Sequence, residues 1–96
     1  MSEYIKQLSK AIEVMHECRC EHFGTEHVQE RHKGEIVWEG DVEIFELKDH
    51  PDAKIAYGWG WNADTGKADY IGILNVPPVE SAVGAVKAAI ISGQFG

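Results

Sequence analysis

Hydrophobic positions alternate with small or polar ones through most of the stretch from Ile36 to Leu74. The blocks are Ile36-Val37-Trp38, Val42-Glu43-Ile44-Phe45, Ile55-Ala56-Tyr57-Gly58-Trp59-Gly60-Trp61 and Tyr70-Ile71-Gly72-Ile73-Leu74. A period of two over such short runs predicts half-buried strands. Lys48-Asp49-His50-Pro51-Asp52 and Asn62-Ala63-Asp64-Thr65-Gly66 are rich in turn formers and divide the stretch into three consecutive antiparallel strands. If each hairpin closes symmetrically about its turn, Ile44 faces Ile55, Val42 faces Tyr57, Trp59 faces Tyr70 and Tyr57 faces Gly72. One face then collects Ile36, Trp38, Val42, Ile44, Ile55, Tyr57, Trp59, Trp61, Tyr70, Leu74 and Val76, and this is the expected core face. The other carries Val37, Glu39, Asp41, Glu43, Phe45, Lys54, Ala56, Gly58, Gly60, Asp69, Ile71, Ile73 and Asn75. Gly40 is expected either to lie under an aromatic ring or to form a β-bulge.

Helical spacing flanks the strands. Tyr4, Ile5, Leu8, Ala11, Ile12 and Met15 recur on one side of an amphipathic helix that starts after Ser2 and ends near Cys18. Pro77-Pro78 stops the last strand, and Pro78 suits a first helical position. Val79, Ala82, Val83, Val86, Ala89 and Ile90 follow at helical spacing, with Gly93 as the stop. Small residues in this helix allow close approach to the Trp and Tyr face. Residues 18–34 are the least regular. The segment 25–32 reads either as a polar edge strand turning at Lys33-Gly34 or as loop, and charge is tolerated on an edge.

The predicted architecture is α+β. One antiparallel sheet of three to four strands carries N- and C-terminal helices packed on one face, in the order α-β-β-β-α, as a single domain over 1–96. A chain of 96 residues buries roughly 60–65% of its unfolded surface, which gives one core but no deep enclosed active site.

Charge narrows the partners. Lys plus Arg number 9 against 16 Asp plus Glu, for a net charge of −7. That balance excludes a phosphate-backbone reader, so no nucleic-acid partner is expected. Between Glu35 and Asp64 eight acidic residues stand against Lys48 and Lys54. Met1-Ser2-Glu3-Tyr4-Ile5-Lys6 lacks the basic end and apolar run of a leader, and no apolar stretch approaches transmembrane length. A Cys-x-Cys pair is no secreted disulfide framework. The expectation is a cytoplasmic protein with reduced thiols and no membrane partner.

Four constellations bear on chemistry. Glu39, Asp41 and Glu43 line one strand, and Ala56, Gly58 and Gly60 give a smooth strip beside them, a surface suited to a basic protein or peptide segment, a cation or a second copy of the sheet. The cation expected near this face is Lys54, at one end. His16, Cys18, Cys20, His22, His27 and His32 supply the atoms that zinc or another transition metal takes. His16, Cys18, Cys20 and His22 are the candidate ligands, although their spacing matches no standard zinc pattern. A Cys/His nucleophile pair would further need an orienting group and a cleft. Trp38, Tyr57, Trp59 and Trp61 could stack bases, but they share a face with aliphatic residues and read as core. There is no glycine-rich phosphate loop and no Gly-x-Ser-x-Gly elbow.

The run Val37-Trp38-Glu39-Gly40-Asp41-Val42-Glu43-Ile44-Phe45-Glu46-Leu47, followed by His50-Pro51-x-Ala53-Lys54 and Tyr57-x-Trp59, resembles a family of small bacterial proteins. The resemblance implies a leading helix, a Val-Trp-Glu-Gly block, a His-Pro turn, a Tyr-x-Trp strand and a final helix after paired prolines. It implies no activity. The helix-strands-helix order is also similar to double-stranded-RNA-binding domains, but the basic second helix of those domains has no counterpart here. The functional expectation is a small non-catalytic binding or interaction module using Glu39, Asp41, Glu43, Gly58 and Gly60, with homodimerisation through the same face as a further expectation. The alternative is a metal-binding protein using the Cys/His segment.

Overall fold

The computed structural model describes residues 3–62 and 68–91. Its elements are α1 (Glu3–His16), β1 (Cys20–His32), β2 (Glu35–Leu47), β3 (Ile55–Asn62), β4 (Ala68–Leu74) and α2 (Ala82–Ile91). The four strands form one antiparallel sheet in the order β1-β2-β3-β4. The protein is thus α+β, and the polar segment before Lys33 is the fourth strand, on an edge. Lys33 and Gly34 take φ values of 52° and 83°, the double left-handed geometry that joins strands by a two-residue turn.

The helices lie on opposite faces of the sheet, not together on the aromatic one. α2 packs with Val28, Val42, Tyr57, Trp59 and Ile71 through Ala82, Ala85, Val86 and Ala89, and Val79, just before the helix, joins the same cluster. α1 packs with Phe45, Leu47 and Ala56 through Leu8 and Ile12. Along β2 and β3 these two sets alternate, so they point to opposite sides. The physical reason is the glycine strip. A Cβ at Gly58 would sit 2.9 Å from Ile12 Cδ1, and one at Gly72 would sit 2.8 Å from Ile12 Cγ1. Only bare backbone there lets α1 settle onto the sheet.

Register explains the rest of the difference. β2 and β3 pair as Ile44↔Tyr57 and Phe45↔Ala56, two residues from the symmetric expectation, which keeps every side chain on its expected face. β3 and β4 pair as Trp59↔Ile71 and Gly60↔Tyr70, with Asn62 opposite Ala68. That single-residue shift exchanges the faces of β4. Ile71 and Ile73 join the aromatic side, while Tyr70, Gly72 and Leu74 move under α1. Gly40 pairs in register with Val28 and has the Trp38 ring 3.1 Å from its ideal Cβ, so the ring-covered alternative holds, with Trp38 as the cover.

The helix ends follow from local chemistry. Glu17 takes φ 52°, and the Cys18 N–H reaches back to the Glu13 carbonyl at 3.3 Å, a left-handed stop that turns the chain into β1. α2 begins later than Pro78. Ser81 accepts the Gly84 N–H on its Oγ at 3.0 Å, which makes it the cap directly before Ala82. The predicted stop at Gly93, the predicted cap at Ser2 and all of the predicted 62–66 turn except Asn62 lie outside the described residues.

Candidate functional site: an acidic cleft where the two hairpins part

The ladder between β2 and β3 spans only Glu43–Glu46 and Ile55–Gly58. β2 runs back to Glu35 and β3 runs on to Asn62, so beyond the Glu43–Gly58 pair the two hairpins part. The opening is a cleft of about 570 Å³ lined by residues of both sheet faces, among them Trp38, Glu39, Asp41, Glu43, Trp59 and Gly60. Tyr4 and Ile5 of α1 line it from the helix side.

Two tryptophans form its apolar wall. The rings of Trp38 and Trp59 lie 5.4 Å apart between centroids at an angle of 57°. Trp59 is 2% exposed and belongs to the core, as expected. Tyr4 reaches into the gap, where its hydroxyl oxygen accepts the Gly60 N–H at 2.8 Å. Burial raises the Tyr4 phenol above its ordinary value, against the opposing effect of that hydrogen bond.

The acidic stripe is graded in depth. Glu43 is buried beneath the α1 side, at 5% exposure. Its Oε1 accepts from the Thr25 hydroxyl at 2.5 Å and lies 2.9 Å from His22 Nε2. Asp41 and Glu39 stand at the open end, with side chains 62% and 45% exposed. Between them and β1 lies His27, its Nδ1 2.8 Å from Asp41 Oδ1 and its Nε2 2.9 Å from Glu39 Oε2. The Glu39 and Asp41 carboxylates hold His27 above the usual histidine range, and His27 in turn holds Glu39 below the usual carboxylate range. Gln29 also donates to Glu39, at 3.3 Å.

This corrects two expectations about the stripe. It is not a bare outer face, because α1 covers its inner end and β1 sets His22, Thr25, His27 and Gln29 against it. Nor does Gly58 form an open strip. Gly58 is buried under Leu8 and Ile12, and Gly60 lies beneath the Tyr70 ring. Glu39, Asp41 and Gly60 therefore meet at the cleft, Glu43 forms its buried inner end, and Gly58 supports α1. The segment 25–32 carried the missing signal. Its alternate positions Thr25, His27 and Gln29 share a face once the segment is taken as a strand.

The structure disperses the Cys/His segment. Cys18 is buried in the core under α1. Cys20 meets Ser9, with its Sγ 3.2 Å from Ser9 Oγ. His16 Nε2 lies 2.9 Å from the Gly72 carbonyl, and His22 is held by Glu43. Burial raises both thiols above their ordinary value, which disfavours the thiolate that a metal or a nucleophilic reaction needs. Among the described residues no group of three or more His, Cys, Asp or Glu side chains is arranged to hold a metal ion. No described helix is long and apolar enough to cross a membrane.

Comparisons with models of protein families, with curated proteins and with solved structures find no match to this chain.

Proposed function

We propose that this protein is a small, non-catalytic, cytoplasmic binding module whose cleft receives a basic segment of a partner protein. The observation that carries this reading is the arrangement at the cleft mouth. Glu39 and Asp41 project side by side at the open end of a cavity walled by Trp38 and Trp59. Carboxylates offer charge-assisted hydrogen bonds to a cationic side chain, and indole rings favour its apolar stem and its charge. The net charge of −7 adds a long-range attraction for basic partners and repels nucleic acid.

The test is binding of a fluorescent basic peptide to wild type and to Glu39→Gln/Asp41→Asn. Both substitutions lie at exposed positions and leave Glu43 in place, so the fold is retained. The wild type binds and weakens as salt rises, because exposed charges are screened. The double variant loses about tenfold or more in affinity, as expected when two charge-assisted contacts become neutral ones. Equal binding by both proteins overturns the reading.

A further inference from the structure

His27 bridges the two carboxylates that stand at the mouth of the cleft. A neutral imidazole carries one N–H, so it donates from one nitrogen only. Here both ring nitrogens meet carboxylates, Nδ1 at 2.8 Å from Asp41 and Nε2 at 2.9 Å from Glu39. The arrangement is satisfied by an imidazolium, a planar cation with two donors directed at two carboxylates. Other groups near this cluster are Gln29, which donates to Glu39, and Arg31, whose charge reaches Glu39 from the same strand. Arg31 itself is turned to Gln29, with Nε 3.0 Å from Oε1.

A guanidinium has the same design: planar, cationic and with paired donors at a spacing similar to that of the two ring nitrogens. An ammonium has one compact donor centre and does not reproduce it. Glu39 and Asp41 face His27 on β1 and also line the cleft on the opposite side of β2. We infer that the basic group taken by the cleft is an arginine side chain, which displaces His27 as the bridge between Glu39 and Asp41 and lays its stem against Trp38. His27 is then an internal competitor that holds the site when empty. Released from its carboxylates, it gives up its proton at neutral pH, because its raised affinity for that proton comes from Glu39 and Asp41. Binding becomes tighter as pH rises, with a proton expelled for each arginine bound. This inference rests on the proposed function and specifies the ligand of the same cleft.

The experiment is titration calorimetry with two otherwise identical hexapeptides, one rich in arginine and one rich in lysine. Each is titrated into wild type and His27→Gln at about pH 6 and about pH 8, in two buffers of different ionisation heat. Wild type is expected to favour the arginine peptide by about tenfold, the scale of a two-point contact over a one-point contact. Its affinity should rise several-fold between the two pH values, with proton release visible as a buffer-dependent heat. In His27→Gln the arginine preference should persist, while proton release and most of the pH dependence vanish. That comparison separates His27 from the other histidines. Equal affinity for the two peptides overturns the arginine assignment. The same pH dependence in both proteins overturns the role of His27. If neither peptide binds either protein, the inference and the proposed function fall together, whereas binding without proton release sinks only the inference.

Discussion

The seating of α1 on the glycine face makes a quantitative prediction about Ile12 and Gly72. Ile12 is fully buried, and an ideal Cβ at Gly72 would lie 2.8 Å from its Cγ1. Ordinary carbon contacts are about 3.5–4.0 Å, so the added methyl must push the side chain, and with it the helix, by several tenths of an ångström or more. Cγ1 is too near the helix backbone to swing aside freely. Overpacking of this kind costs about 1–3 kcal/mol. Loss of glycine's freedom in the unfolded chain offsets about 0.4–1 kcal/mol of it. Gly72→Ala alone should therefore destabilise by about 0–2.5 kcal/mol. Ile12→Ala alone opens a cavity and should cost about 2–5 kcal/mol. In the double variant the new methyl occupies space that Ile12 has vacated, so its clash disappears and part of the cavity fills. The two changes should be less than additive by about 0.5–3 kcal/mol. Urea unfolding of the four proteins, followed by tryptophan fluorescence, measures this coupling. Additivity to within about 0.3–0.5 kcal/mol would place Ile12 away from Gly72 and put α1 on some other surface.

Other perturbations address the core and the cleft. Trp59→Ala should cost about 3–5 kcal/mol by urea unfolding, because it is buried in the core that also holds the alanines of α2; a cost below about 1 kcal/mol would place it at the surface. Glu43→Ala should cost about 1–3 kcal/mol by leaving Thr25 and His22 without their shared acceptor, while Glu43→Gln, which keeps an oxygen there, should cost less. The His27 cluster should stabilise the hairpin most between pH 4.5 and 6.5. A raised histidine contributes fully below its unfolded value of 6.5 and fades as pH rises through its folded value. The lowered Glu39 contributes above 4.5 and fades as pH falls through its folded value. The difference in melting temperature between wild type and His27→Gln should peak in that window, and a difference independent of pH would refute the bridge.

Much of the architecture was legible because it rests on strong local signals. The alternation around Tyr57 and Trp59 marked the core face, Leu8 and Ile12 marked α1, and Lys33-Gly34 marked the tight turn. Three things were not legible. The face chosen by α1 depends on Gly58 and Gly72 forming one bare patch, and that patch exists only once the β3–β4 register is known. The register turns on which residue of β4 stands opposite Trp59, and a difference of one exchanges Ile71 and Tyr70 between faces. The partners of the acidic stripe sat in 22–29, a stretch whose charge masked its alternation. Glu43 consequently read as part of an open binding surface, when Thr25 and His22 make it a buried anchor at the inner end of the cleft.

The location of binding tests the central claim most directly. Backbone amide and indole signals of the isotope-labelled protein can be followed by NMR as the arginine-rich hexapeptide is added. The account predicts the largest shifts at Trp38, Glu39, Gly40, Asp41 and Gly60, together with the Trp38 indole, and loss of these shifts in Glu39→Gln/Asp41→Asn. Shifts centred instead on Val14, Met15 and Tyr70, in the groove between α1 and β4, would contradict it.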